Sequence, residues 1–432
     1  MNNILHQNQY GFQKGKSTLH PLINILNFIG HAFNNNKFVV AIFLDFKKAF
    51  DMVSHEKLLV KLERLGVIGK NLNWFKSYLS NRKIFSMVNG CLSSEFAFLS
   101  RSVPQGSILG PLLFLIFIND MPYCNELLSF LFADDTTSLT SGNDIEQVGS
   151  FVNLQLQKIG VWLRSNELAI NTSKTKIVIF SNKQKIPHFD FVFNNNDFDC
   201  PQQTSLISPI ERISNSSKVP AFKMLGVYLD ENLSFDYHCS QILSKVNRAL
   251  YSIRSAKNLL SSSSLKKLYF ALIHPHFLYC LPVYGFTSSK NMNLLFKKQK
   301  QCMRLITNAK YNAHTEPLFH THGILQLPDL LTQQKILLMH SIVFNQSPSV
   351  FPDFQLNINS NTHGYILRNQ FNFYVPRSTC SLTAKMPIID FPRLWNDLDE
   401  DLKCLDNELA FKKILKSSLL DKYGSFNCTK LF

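Results

Sequence analysis

The sequence predicts an α+β fold whose N-terminal half mixes strands with helices and whose C-terminal half is helical. Three observations predict it. Two strongly apolar runs, Phe38 to Leu44 and Phe130 to Ala133, lead directly into acidic residues, as buried strands do when they carry a side chain to a sheet edge. Ile145, Val148, Val152, Leu156, Ile159 and Leu163 recur at spacings of three and four, the period of an amphipathic helix that follows Asp144. From His238 onward the chain becomes helical, beginning with Ile242, Val246, Leu250 and Ile253, and 346–432 reads as a helical or irregular tail. With 432 residues, 45% of them hydrophobic, the chain can bury a sizeable core in two or three domains.

The elements follow in order. Gln9 to Thr18 is a glycine-punctuated loop carrying Lys14 and Lys16, before a helix with Leu22, Ile25 and Ile29 on one face. Amides and ammonium groups ahead of a helix suit a phosphate, although the Walker spacing is absent. The strand ending at Leu44 delivers Asp45, and an acid at the end of a buried strand is normally paired or bound to metal. Phe46 to Asp51 turns the chain into a helix with Leu58, Leu62 and Leu65 inward and Gly66 as its stop. Trp74 to Leu79 is a further short helix, followed by Arg82 and a strand over Ile84 to Val88. In Val103 to Pro111, Gly106 and Gly110 allow the backbone to approach a planar or phosphate-bearing ligand. A helix then runs to Ile118 and ends at Asn119-Asp120.

Ser129 to Leu139 outlines a hairpin with Asp134 and Asp135 at its tip. Adjacent side chains on extended backbone face opposite ways, so only one of the two points squarely at a given spot. A polar turn is the plain alternative. Asp45, and the glycine-rich loop between it and the hairpin, weigh against that. Leu168 to Lys176 leads into a strand at Ile177 to Phe180, and residues 181–220 are a polar, Asn- and Ser-rich insertion loop. Phe222 to Asp230 is a strand that turns at Asp230 to Asn232. The helices beyond carry Lys245, Arg248, Arg254 and Lys257, then Lys266 and Lys267, a pattern that suits a solvated face and a nucleic-acid contact equally.

Lys plus Arg outnumber Asp plus Glu by 45 to 30, a net charge of +15, which points to a polyanionic partner, most often nucleic acid. The nine cysteines are scattered without a C-x-x-C pair, against a zinc site or a dense disulfide framework. That spacing fits a reducing, intracellular compartment. Met1 to His6 has no signal-peptide pattern, and the apolar run Leu112 to Ile118 is far below the ~20 residues that span a bilayer. The chain is expected to be soluble, with no membrane contact.

The order of these blocks resembles the reverse transcriptase of non-LTR retrotransposons, the Jockey- and RTE-like LINE group. Gln9 to Thr18 is similar to the family's fingers motif, Phe43 to Asp51 to motif A, and Val103 to Pro111 with Ile118 to Asp120 to motif B. Phe132 to Asp135 resembles motif C, Leu168 to Thr175 motif D, and Lys223 to Asp230 motif E, the primer grip. Leu278 to Gly285 and Pro392 to Asn396 look like the thumb and tail of such elements. The resemblance implies a right-hand polymerase: fingers and a ferredoxin-like palm over 1–240, a helical thumb over 241–345 and a C-terminal tail over 346–432. It also implies RNA-directed DNA synthesis from an RNA template, a DNA primer and dNTPs. Asp45 and Asp134 would bridge two Mg²⁺ ions, or Mn²⁺ in their place, with Asp135 and the Phe46 carbonyl beside them. By the same likeness Lys14 and Lys16 hold the triphosphate, Gln105 and Gly106 line the nucleotide pocket, and Lys174 stands at the leaving pyrophosphate. Leu225 and Gly226 form the primer grip, and Lys245, Arg248, Lys266 and Lys267 face the duplex.

Phe50 has two readings, an aromatic gate against a ribose 2′ hydroxyl and a core anchor at the strand–helix junction. Gln13 stands where the family usually has Arg, removing a bidentate phosphate fork. Such elements carry an endonuclease and further fingers segments ahead of the first block. Gln9 stands close to the start of this chain, so an N-terminally truncated copy is expected. An inactive remnant and a domesticated RNA-binding protein, such as a maturase relative, are the alternatives.

Overall fold

Strand β1 (Phe38–Leu44) is apolar at every position and buried at every position, so it can only be the middle of a sheet. In the computed structural model, which describes residues 4–84, 87–92, 97–99, 101–182, 189–195, 206–344, 372–379 and 381–423, the chain forms two compact units. The first comprises Met1–Pro21 and Asn36–Ser214, the second Leu22–Asn35 and Asn215–Phe432. Helix α1 (Leu19–Asn34) thus falls almost wholly in the second unit, although the strand after it belongs to the first.

In the first unit, β1 is followed by α2 (His55–Arg64) and α3 (Gly69–Leu79). Four short strands come next, β2 (Arg82–Ile84), β3 (Met87–Val88), β4 (Cys91–Leu92) and β5 (Ala97–Leu99), paired β2 with β5 and β3 with β4. The expected strand over Ile84 to Val88 is strand at its described positions, Ile84 and Met87–Val88, and Phe85 and Ser86 lie outside the described residues. Helix α4 (Leu109–Ile118), hairpin strands β6 (Leu128–Phe132) and β7 (Asp135–Gly142), α5 (Ile145–Asn166) and β8 (Lys176–Phe180) follow. Asp144 caps α5 by accepting the Glu146 amide, and the predicted periodic residues of α5 are all buried.

The five-stranded sheet runs β11-β8-β1-β7-β6, antiparallel except where β11 (Glu211–Ile213) pairs parallel to β8. Phe38, Val40, Ile42 and Leu44 of β1 share a core with Leu113, Phe114 and Phe117 of α4 and Val152, Leu156 and Ile159 of α5. The expected insertion loop over 181–220 is corrected in part. Val192–Asn195 (β9) and Leu206–Pro209 (β10) pair with each other, and β11 joins the main sheet. Residues 183–188 and 196–205 of that stretch lie outside the described residues.

In the second unit the expected strand over Phe222 to Asp230 is a hairpin instead, β12 (Phe222–Met224) and β13 (Val227–Leu229). Leu225 (φ 44°) and Gly226 (φ 84°) are both left-handed, which lets two residues reverse the chain. Helices α6 (Asp236–Ala256), α7 (Ser262–Leu272), α8 (His274–Leu278), α9 (Leu281–Tyr284), α10 (Ser289–Ile306), α11 (Glu316–His322) and α12 (Leu327–Val343) complete its described middle. Buried Gln299 of α10 ties three pieces together: its amide nitrogen donates to Tyr269 Oη and the Leu325 carbonyl, and its oxygen accepts the Leu327 amide. Helix α1 meets the C-terminal part of this unit through Asn27 Oδ1, which accepts the Ile388 amide, and Gly30, which lies against Met386. Residues 345–371 and 424–432 of the expected tail lie outside the described residues. No described helix is long and apolar enough to cross a membrane.

Candidate active site

Asp45 leaves β1 with its backbone held on two sides. Leu44 pairs with Thr136 of β7, so Asp45 exits the sheet level with the hairpin's end. On the other side, the Asp45 amide donates to Thr175 Oγ1 (3.2 Å) and its carbonyl accepts from the Asn171 amide (2.7 Å). One residue further, Phe46 bridges Ile170 and the Lys47 amide donates to the Ala169 carbonyl. The stretch after α5 therefore fixes the direction in which Asp45 emerges.

Phe132 pairs with Asp135, leaving Ala133 and Asp134 as a two-residue loop. Asp134 alone sits in the tip, whereas Asp135 opens the return strand; the expectation of two acids at the tip is corrected to one. The loop forces Ala133 to φ 57°, a conformation costly for any residue with a Cβ. Its amide, which a two-residue loop leaves without a ladder partner, donates to Gln9 Oε1 (3.0 Å), and the same oxygen accepts the Gly11 amide (2.9 Å). Gln9 is 2% exposed, and its segment lies along β6 through Tyr10 N to Leu131 O and Leu131 N to Asn8 O. A Cβ on Gly11 would stand 2.4 Å from the Ala133 nitrogen, so only glycine allows this approach.

The carboxylates act on one another. Dehydration raises the Asp134 pKa, and the Asp45 charge raises it further against backbone hydrogen bonds that lower it. Asp135 is pushed up to about 6, by dehydration first and then by Asp134 and Asp45, although its side chain still meets solvent. Among the described residues no group of three or more His, Cys, Asp and Glu side chains is arranged to hold a metal ion. The donor set nonetheless suits a divalent cation that takes its remaining ligands from phosphate oxygens: all three groups are hard carboxylates whose negative charges meet.

The other predicted residues of this unit fall as follows. Phe50 is half-buried, stacked on buried Phe114 (4.3 Å between centroids, 22°) and met edge-on by Phe12 (6.5 Å, 86°), which is 62% exposed. Gln105 Nε2 donates to Asp51 Oδ1 (2.8 Å), joining the glycine-rich loop to the end of the Asp45 segment. Gly106 is exposed at φ 80°. Gly110 packs on the Pro104 carbonyl, where a Cβ would sit at 2.4 Å. Lys14 is exposed. Lys16 is turned inward, donating to the carbonyls of Gln7 (3.1 Å) and Gln9 (2.6 Å) above the Tyr10 ring, and burial lowers its pKa. Gln13 Nε2 also donates to the Gln9 carbonyl (2.6 Å). Lys174 is exposed in the loop beyond Asn171, whereas Lys176 is paired with Glu211 across the β8–β11 edge.

The second unit holds the rest. Leu225 and Gly226 are the β12–β13 turn, and Tyr279 Oη donates to the Leu225 carbonyl (2.6 Å) with its ring beside Gly226. Lys245, Arg248 and Lys267 are exposed; Lys266 donates to the His322 carbonyl at the end of α11 (2.7 Å). Gln9, Gly11, Phe12 and Tyr279 are the residues missed from the sequence. The available signal was slight: Gly11 is one of two glycines in the Gln9 to Thr18 loop, and nothing near it marks a partner.

Set beside known proteins, residues 1–229 match the family model described as reverse transcriptase (RNA-dependent DNA polymerase). The RNA-directed DNA polymerase from mobile element jockey of Drosophila melanogaster is 30% identical over 335 residues, 75% of this chain and 34% of the relative. Its Drosophila funebris counterpart is 29% identical over 328 residues, 72% and 33%. The probable RNA-directed DNA polymerase from transposon BS of Drosophila melanogaster is 28% identical over 326 residues, 71% and 33%. The chain spans about a third of the length of these relatives. A solved telomerase from Candida tropicalis, in complex with a fragment of telomeric RNA, aligns with 96% of this chain and 54% of its own. At 11% identity and a TM-score of 0.34, that likeness is too loose to bear on the fold.

Proposed function

Because the chain belongs to the reverse transcriptase (RNA-dependent DNA polymerase) family, we propose that it is the polymerase portion of a non-LTR retrotransposon protein, extending a DNA primer on an RNA template with dNTPs. The observation that carries this reading is the meeting of Asp45 with the Asp134–Asp135 hairpin, three carboxylates whose charges oppose one another. The sheet is the palm: β8-β1-β7-β6, with helices between β1 and β6 and between β7 and β8, has the connectivity and order of a ferredoxin-like βαββαβ unit. The N-terminal loop and the α2–α3 region are partial fingers, and the helices from α6 onward are the thumb.

Asp45 and Asp134 would hold Mg²⁺, or Mn²⁺, with Asp135 and the Phe46 carbonyl alongside; bound there, the cations supply Lewis acidity to the primer 3′ hydroxyl and the departing pyrophosphate. The protein's own part is to keep these groups in place before substrate arrives. Asn171 and Thr175 orient Asp45, and Gln9 holds the loop that presents Asp134. Lys174, exposed beyond Asn171, is the cation placed to give a proton to the pyrophosphate, since Lys176 is engaged by Glu211. Lys14 meets the triphosphate, whereas Lys16 acts through the loop backbone it braces. Gln105 and Gly106 border the nucleotide. Phe50, between the buried Phe114 ring and the exposed Phe12 ring, is the gate against a 2′ hydroxyl. The Leu225–Gly226 turn grips the primer, and Lys245, Arg248 and Lys267 meet duplex phosphates.

Primer extension on an RNA template is the test. It is expected to require Mg²⁺ or Mn²⁺ and to fall to background in Asp45→Asn and Asp134→Asn, with the fold retained. Undiminished extension in either variant rejects the mechanism. A catalytically silent, RNA-binding chain is the second reading. It is favoured by Gln13 and Lys16, whose side-chain nitrogens both bond to the Gln9 carbonyl instead of facing a triphosphate. Folded wild-type protein that binds RNA but extends no primer supports it.

A further inference from the structure

Helix α3 buries one side and leaves an aromatic ring on the other. Leu79 is fully inside, and Leu72, Phe75 and Tyr78 pack on the core. Trp74 is 53% exposed and stacks on Tyr78, with ring centroids 5.3 Å apart and planes 9° from parallel. Its edge meets Phe75 (5.1 Å, 85°), and the Arg82 guanidinium lies 5.8 Å from the centre of the Tyr78 ring. Lys70, Trp74, Tyr78 and Arg82 follow one another at intervals of four, so they lie along one side of the helix and its exit.

Along the sequence, the charge flanking this ring is of one sign. No Asp or Glu occurs between Leu65 and Ser94, whereas Lys70, Lys76, Arg82 and Lys83 do. The acids preceding α3, Glu56 and Glu63 of α2, line the groove between α2 and α3 together with Lys76, whereas Lys70 and Arg82 share the line of Trp74 and Tyr78. An exposed, preordered aromatic face flanked by cations has the chemistry that recognises an unpaired base and its phosphates. Stacking supplies the affinity without reading the sequence. A protein partner docking on apolar area alone would gain nothing from Lys70 and Arg82.

We propose that Trp74, backed by Tyr78 and Arg82, is a stacking platform for an unpaired base of single-stranded nucleic acid, with Lys70 on a flanking phosphate. The platform does not involve the carboxylate site and does not depend on catalysis.

Fluorescence tests it directly, because the two other tryptophans are buried, Trp162 at 8% and Trp395 at 1% exposure. A short oligouridylate titrated into the whole protein is expected to quench the exposed tryptophan component and to shield it from acrylamide. Heparin, a polyanion without bases, is expected to leave that component unchanged. By anisotropy of a labelled oligouridylate, Trp74→Leu should bind about tenfold more weakly, the scale of one lost stacked base. Trp74→Phe, which keeps a ring, should stay near wild type. Oligonucleotide binding without quenching overturns the proposal, as does equal quenching by heparin or wild-type affinity in Trp74→Leu. Emission that responds to protein concentration instead of oligonucleotide also overturns it, and makes the face an interface between copies of the chain.

Discussion

Gln9 and Asp135 show how single residues set the state of the carboxylate hairpin. Gln9 Oε1 satisfies two buried amides, one of them on strained Ala133. Gln9→Leu removes that acceptor and is expected to cost about 1–3 kcal/mol. It should also lower the primer-extension rate while leaving the KM for dNTP near wild type. Gln9→Glu, which keeps an acceptor oxygen, should retain most of the rate; steady-state kinetics beside a thermal melt separates the two variants. Asp135 has its pKa raised from 3.8 to about 6, so the folded protein holds this proton more tightly than the unfolded chain. Its contribution to stability is therefore neutral below about pH 4, turns unfavourable as pH rises to about 6, and stays so above. In EDTA at pH 7.5, Asp135→Asn is expected to stabilise the protein by about 1 kcal/mol, a figure reduced for the solvent that reaches this side chain. The gain should vanish near pH 4. A Tm difference that does not change with pH would refute the charge argument.

At the scale of elements, the β12–β13 hairpin depends on a partner from α8's end. Leu225 and Gly226 both adopt left-handed backbone, and Tyr279 covers the turn with a hydrogen bond and a ring face. Gly226→Ala would put a methyl group 2.9 Å from a Tyr279 ring carbon and strain φ 84°, for an expected loss of about 1–2 kcal/mol. Tyr279→Phe removes only the hydrogen bond. If the turn grips the primer, this variant should bind a primer–template duplex roughly threefold more weakly at nearly unchanged Tm, the scale of one net hydrogen bond. Unchanged duplex affinity in both variants would detach the hairpin from primer binding. Helix α5 is the contrasting element, secured locally by its Asp144 cap and its three-and-four periodicity.

Across the whole molecule, a net charge of +15 makes some attraction to nucleic acid unavoidable, so the salt dependence of binding is the informative quantity. The four basic residues expected to meet the duplex differ in their surroundings. Lys245 and Arg248 are exposed and lie near enough to His276 to help depress its pKa, with burial as the largest single cause. Lys267 is exposed too, but Lys266 is engaged at the His322 carbonyl. Neutralising Lys245, Arg248 and Lys267 to Gln should flatten the log–log salt slope of duplex binding by roughly one per residue. Lys266→Gln should instead lower Tm and leave the slope alone. Equal effects of all four on the slope would show that the hydrogen bond of Lys266 does not hold in solution.

The sequence by itself determined the elements whose signal is local. Seven buried apolar residues ending at Asp45 could only be an interior strand, and α5 is written in its own spacing and cap. The hairpin that carries Asp134 follows from an apolar run, two acids and a Thr-rich return. Tertiary structure alone decided what depends on partners far away in the chain. Gln9 and Ala133 are 124 residues apart, and nothing near either marks the bond between them. Lys16 resembles a phosphate ligand until the Gln7 and Gln9 carbonyls accept its hydrogen bonds. Helix α1 has an ordinary apolar face, yet it falls with the C-terminal helices because Asn27 and Gly30 meet residues more than 350 positions later. Strand β11 is three residues long, too short to show a period, and exists as a strand only because β8 offers it an edge. Periodicity reports what a segment buries; which segment buries it is a property of the folded chain.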